Sequence, residues 1–201
     1  MNKELLVRGY RWAFGLADLA AIATGFYDRV LHGDAGAVNY FSYFTILSNI
    51  FAVAIFLAWM RPSGTYDLLR GAVVVYMAVT GVVYGLLLAH YPVSVAAWIN
   101  DVEHRVMPVV VVADWLIAPP SRRVPWRRVM IWLVFPVAYL IYTEIRGPIA
   151  QWYPYPFLDP RIGGYGRVAA YSAGIAVAFV LFSWAVAALG SLRAHRTPAP
   201  G

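Results

Sequence analysis

Residues 40–60 read YFSYFTILSNIFAVAIFLAWM, an apolar run long enough to cross the roughly 30 Å apolar layer of a bilayer as a helix. Its first half is polar on one side. Ser42, Thr45, Ser48 and Asn49 are spaced by three or four residues, so helical geometry places them on a common face. A second polar cluster, Asn100, Asp101, Glu103, His104 and Arg105, interrupts another apolar run further along. Ionisable groups inside a membrane are costly and mark a site or a pairing need. The two clusters predict that Thr45 and His104 face each other inside a membrane bundle.

Composition supports that setting. The chain has 201 residues, 61% of them hydrophobic and 13% charged, where a soluble domain carries nearer a quarter charged. Cysteine is absent, which excludes disulfides, thiolate catalysis and Cys-ligated metals. The formal charge of +6 raises the question of nucleic acid. The charges sit at the ends of apolar runs, as membrane topology requires, and argue against it.

Outward from the opening stretch, apolar periodicity predicts six membrane helices, near residues 12–28, 40–60, 68–89, 95–118, 129–146 and 167–189. They form one all-α, polytopic membrane domain over residues 1–190, with a disordered cytoplasmic tail at 191–201. Asp28, Arg29, His32 and Asp34 mark the first connection, and Arg61-Pro62-Ser63-Gly64 ends the second helix. Ser94 is a candidate N-cap for the fourth, and Pro108 should kink that helix one turn after His104. His32 and His195 read as solvated. Asp18 and Asp114 read as hydrogen-bond or ion-pair partners away from the polar cluster, with proton relay as the alternative. Glu103 and Arg105 read as paired ions.

Basic residues set the orientation. Lys3, Arg8, Arg11, Arg61, Arg70, Arg122, Arg123, Arg127, Arg128, Arg193 and Arg196 fall on the N-terminal side, against Arg29, Arg146, Arg161 and Arg167 opposite. Both termini are therefore expected in the cytoplasm. Thr45, His104 and the end of the fifth helix (Tyr142, Glu144, Arg146) then share the outer half of the membrane, under a loop containing WYPYPFLDP (152–160). The short tails and the Ala/Val/Arg-rich composition lean toward a bacterial inner membrane.

A threonine hydroxyl needs a base to become a nucleophile, and His104 is the intramembrane imidazole able to supply one near neutral pH. Asp101 and Asn100 lie three and four residues before it, and either can accept from a ring nitrogen. Ser48, Asn49 or Arg105 could donate to an oxyanion. The competing structural reading is that Ser and Thr bond their own i−4 carbonyl or a neighbouring helix. Two other functions stay open at this level. One is a haem or quinone protein using His90 and His104. The other is a transporter using Asp18, Asp114, Glu103 and Arg105.

Three motifs in order, FTILSN (44–49), NDVEHRVMP (100–108) and YPYPFLD (153–159), resemble the androgen-induced protein family, which includes androgen-dependent TFPI-regulating protein and bacterial relatives. The resemblance spans nearly the whole chain. It implies a multipass membrane hydrolase that cleaves fatty acid esters of hydroxy fatty acids with a threonine and a histidine, which fall on Thr45 and His104. No metal or cofactor is implied. The partners implied are the lipid ester, its fatty acid product and membrane lipids. This chain departs from the expected family pattern in placing charged neighbours, Asp101, Glu103 and Arg105, around the histidine.

Overall fold

A computed structural model describes residues 2–31, 36–58, 63–92, 95–121 and 123–194. The expectations placed on His32, Asp34, Arg61, Pro62, Ser94, Arg122, His195 and Arg196 lie outside them. The described residues are mostly helical and contain no strand.

The chain opens with α1 (Lys3–Phe26), whose first amide is capped by the Asn2 side chain accepting from the Glu4 N–H at 3.1 Å. That cap, and the absence of a breaker after it, start the helix nine residues before the expected position at Trp12. A π-helical turn, Tyr27–Leu31, ends it. A short α2 (Ala37–Tyr40) precedes α3 (Phe44–Leu57), the core of the opening stretch. Then α4 (Gly64–Val83), capped by the Ser63 hydroxyl, runs into a second π turn, Tyr84–Leu88. Next, α5 (Ala97–Asp101), a third π turn (Val102–Val106) and α6 (Met107–Ile117) make one rod. The fifth rod is α7 (Trp126–Val129), a 3-10 turn (Met130–Leu133) and α8 (Val134–Ala150). Two 3-10 turns in the loop, Pro156–Leu158 and Pro160–Ile162, lead to α9 (Gly164–Ala194). Residues 191–194 thus belong to a helix rather than to a disordered tail.

Prolines explain where the rods depart from α geometry. Pro108 has no N–H for the His104 carbonyl. The backbone before it widens, and the Met107 N–H reaches the Val102 carbonyl five residues back. In α8, Pro136 leaves the Trp132 carbonyl without its helical donor, and the Tyr76 hydroxyl from α4 donates to it at 3.0 Å.

Three helices are long and apolar enough to cross a membrane: Gly64–Leu88, Trp126–Ala150 and Gly164–Leu192. The rods through α1 and through α5–α6 are not among them, and Phe44–Leu57 is shorter. Large apolar side chains of α8 and α9, including Ile145, Val177, Leu181 and Trp184, point outward. Such a surface suits lipid contact.

Each end of the bundle has its own chemistry. At one end Asp114 bridges two arginines, Arg11 at 2.6 Å and Arg70 at 2.7 Å, and Arg70 also meets Asp67 at 3.5 Å. Asp67 in turn accepts from the amide and hydroxyl of Ser121. Asp114 is therefore the ion-pair partner the sequence implied, while Arg11 and Arg70, expected to mark topology, are drawn into this buried network. Asp18 differs from expectation: it is fully buried, yet neither carboxylate oxygen has a hydrogen-bond partner. Glycines allow the close packing between rods. A Cβ at Gly81 would sit 2.9 Å from Pro108, and one at Gly71 would clash with the Trp132 ring. At the other end, Phe44 stacks on Phe135 (5.3 Å) and meets Tyr139 and Phe179 edge-on. This aromatic cluster fixes the start of α3, next to Thr45.

Candidate functional site

Thr45 lies in the first turn of α3, where helix amides lack intrahelical acceptors. The Tyr155 hydroxyl, from the 151–163 loop, fills that gap. It accepts from the Thr45 N–H at 3.1 Å and lies 3.3 Å from Thr45 Oγ1. Tyr155 itself is held by a parallel stack on Phe157 (5.1 Å) and an edge contact with Tyr43 (5.7 Å). Burial pushes its hydroxyl up to about 12, against the hydrogen bonds from Thr45. At neutral pH it therefore remains an O–H donor.

Thr45 forms part of the wall of two cavities. One, of about 170 Å³, is lined by apolar side chains of α4, α8 and α9, among them Val79, Leu140 and Phe179. The other, of about 270 Å³, is lined by Arg29, Tyr43, Asn100, Glu103 and His104. Tyr155 also borders both. All three π turns contribute to the polar cavity: Arg29 from the first, Tyr84 and Leu88 from the second, Glu103 and His104 from the third. Single π turns are frequent at functional sites because they re-aim side chains that a regular helix would space differently.

His104 is oriented from its own rod. Its Nδ1 lies 3.1 Å from the backbone carbonyl of Asn100. A carbonyl only accepts, so Nδ1 carries a proton, and in the neutral ring Nε2 keeps the lone pair. The ring rests on Tyr84 at 4.4 Å, and the Tyr84 hydroxyl accepts from the Asn100 side chain at 2.7 Å. Asn100 thus orients His104 through its backbone and through Tyr84. Asp101 does neither: it pairs with Arg105 on the exposed side of the rod. Arg105 stacks over Tyr84 at 5.5 Å and lies outside the polar cavity, away from the oxyanion role considered for it.

The remaining candidates are buried in α3. The Asn49 amide nitrogen donates to the Thr45 carbonyl (2.9 Å) and to the Glu103 carbonyl (3.2 Å), which commits it to joining α3 to the third π turn. Ser48 Oγ is buried and has no hydrogen-bond partner. Glu103 is not the ion partner of Arg105. It is buried, with Oε1 unpartnered. His90 is exposed beyond the second π turn, stacked on Tyr91.

The structure therefore brings Thr45, Asn100 and His104 to one cavity, with Ser48 and Asn49 buried beside Thr45. It leaves Asp101 and Arg105 outside. No hydrogen bond joins Thr45 to His104. Cavity residues that sequence reasoning did not single out include Tyr84, which supports the His104 ring, Tyr155, and Arg29, which had been read only as a charge at a helix end. Proximity of Tyr155 to Thr45 is set by a loop returning over the bundle, which helical periodicity does not encode. Comparison with protein-family models, with curated proteins and with solved structures returned no match.

Proposed function

We propose that this chain is a six-span membrane esterase that hydrolyses long-chain esters, with fatty acid esters of hydroxy fatty acids as the substrate class. In this reading α1, α3 and the α5–α6 rod cross the membrane with the three long apolar helices. Both termini face the cytoplasm of a bacterial cell, and the site lies in the outer-leaflet half of the inner membrane. The observation that carries the reading is the position of Thr45 in the wall of both cavities. An ester centred there has an apolar chamber for its acyl chain on one side and an imidazole on the other.

The chemistry follows from the donor set. Thr45 Oγ1 rotates from Tyr155 toward His104 Nε2, since catalytic hydrogen bonds often form only once substrate is bound. It attacks the ester carbonyl while Nε2 takes its proton. The tetrahedral intermediate carries an oxyanion, to which the Tyr155 O–H donates. Collapse breaks the bond to the alcohol oxygen, which leaves with the proton from Nε2, and an acyl-Thr45 ester remains. Nε2 then deprotonates a water molecule that attacks this ester. The fatty acid leaves, and Thr45 recovers its proton from the imidazolium.

The test is hydrolysis of such esters by purified protein in lipid nanodiscs. Thr45→Ala and His104→Ala should each remove activity while keeping the wild-type unfolding temperature to within a few degrees. Full activity in either variant overturns the mechanism.

A further inference from the structure

A third space lies on the outside of the bundle, between the end of α4 with its π turn and the first half of α9. It is a groove of about 360 Å³. Ala170, Gly174 and Ala178, four residues apart on α9, run along it as a stripe of small side chains, and the exposed Val82 and Leu86 flank it. No charged side chain lines it among the described residues. Both helices are long and apolar enough to cross a membrane, so the groove opens toward hydrocarbon. Val83 and Ile175 line this groove and also the apolar chamber beside Thr45, so two half-buried side chains stand between the two spaces. The second π turn serves both, with Leu86 and Leu87 on the groove and Leu88 on the chamber. Tyr171 borders the groove at the loop end of α9. Its ring lies 6.0 Å from Phe157, which stacks on Tyr155, so the groove reaches the level of the site.

We infer that this groove is the lateral portal by which an acyl chain passes from the bilayer into the chamber, with Val83 and Ile175 as its gate. The inference rests on the ester-hydrolase reading of Thr45 and His104 and adds the route to it. From Ala170 to Ala178 the stripe is about 12 Å long at the helical rise, close to the roughly 15 Å depth of one leaflet's apolar layer, so one chain can lie along it. A chain already in hydrocarbon meets only apolar walls on this path. Entry through the polar cavity would take it past Arg29, Glu103 and His104, whose polar atoms it cannot bond. A stripe of small residues in a membrane helix also suits a second helix. A helix seated here would cover the wall shared with the chamber, whereas a chain lying on that wall needs only the Val83 and Ile175 side chains to turn. Continuity with the chamber therefore favours the chain.

The experiment fills the groove after the protein has folded. The chain has no cysteine, so Gly174→Cys provides a single attachment point. A Cβ at Gly174 meets nothing within 4 Å, and the variant should fold as wild type does. A hexadecyl chain is attached there as a disulfide with hexadecyl methanethiosulfonate, and the tether keeps it at high local concentration over the groove. The readout is kcat/KM in nanodiscs for a long-chain ester relative to a water-soluble butyrate ester. Attachment should lower that ratio by roughly ten-fold or more, and dithiothreitol, which removes the chain, should restore it. The same attachment at Val177→Cys, an exposed α9 position outside the groove, should leave the ratio within about two-fold. A ratio that holds in the modified Gly174→Cys protein, or falls equally in Val177→Cys, overturns the inference.

A second readout does not need turnover. A long-chain ether analogue of the ester, which a hydrolase does not cleave, should slow alkylation of Gly174→Cys by a membrane-permeant maleimide by roughly five-fold or more, and saturably, as occupancy by mass action predicts. Alkylation of Val177→Cys should be unaffected. No protection, or equal protection at both positions, overturns the inference. So does oxidative cross-linking of two Gly174→Cys chains with none in Val177→Cys, which would assign the groove to a second copy of the chain. If wild type cleaves neither ester while protection at Gly174→Cys persists, the esterase reading fails and the groove stands as a chain-binding site. If Thr45-dependent hydrolysis holds while attachment at Gly174→Cys changes nothing, the portal alone fails.

Discussion

Tyr155→Phe separates what the loop does for stability from what it does for chemistry. The substitution removes one oxygen. The stack on Phe157 (5.1 Å) and the edge contact with Tyr43 (5.7 Å) survive, because both belong to the ring. Two polar contacts are lost, the Thr45 N–H at 3.1 Å and Thr45 Oγ1 at 3.3 Å. A typical hydrogen bond contributes about 1 kcal/mol net, and a buried donor left unpaired costs about 1–3 kcal/mol. Thr45 is only 5% exposed, so water does not readily replace Tyr155. The expected loss is about 2 kcal/mol, read as a lower unfolding temperature in detergent. In the proposed mechanism the same hydroxyl meets the oxyanion, and removal of one such donor lowers kcat by about 10²-fold. KM should change little, since the apolar chamber is intact. Wild-type stability in the variant would refute the capping role of the loop. A kcat within two-fold of wild type would refute the oxyanion role even if stability fell.

Other consequences of the structure can be tested beside it. Asp114→Ala leaves Arg11 and Arg70 buried without their shared carboxylate and should destabilise by about 3–5 kcal/mol, measured by thermal unfolding in detergent. Gly71→Ala drives a methyl into the Trp132 ring, whose indole N–H is tied to the Leu68 carbonyl at 2.9 Å. That overpacking should cost about 1–3 kcal/mol or more, with a shift in tryptophan fluorescence. The absence of cysteine makes topology directly readable. Single cysteines placed at Asn2 and Ser191 should react with an impermeant thiol reagent only after the cells are opened. One placed at Gln151 should react in intact cells. Labelling of all three from the same side would exclude six spans with both termini inside.

The fold was legible where periodicity and breakers dominate. Helix spacing located the rods, and Pro108 announced an irregularity behind His104. The form of that irregularity was less accessible. A kink and a π turn both accommodate the same missing N–H, and α4 packs against Pro108 at Gly81. The start of α1 moved because Asn2 caps it, and a side chain from another rod, Tyr76, takes up the Trp132 carbonyl that Pro136 leaves open. Within the site, Thr45 and His104 were visible as polar residues in costly surroundings. The orienting group was harder to read, because a backbone carbonyl carries no residue signature. Asp101 stood at a suitable spacing, but the π turn and its exposed partner Arg105 turn it outward. Tyr155 and Arg29 depend on long-range contacts that one sequence does not order.

The central claim, an activated threonine at Thr45, is tested most directly by intact-protein mass after treatment with a fluorophosphonate carrying a long alkyl chain. The account predicts one adduct on wild type, mapped to the peptide containing Thr45 and absent from Thr45→Ala and His104→Ala. An adduct that persists in folded Thr45→Ala, or maps to another residue, would contradict it.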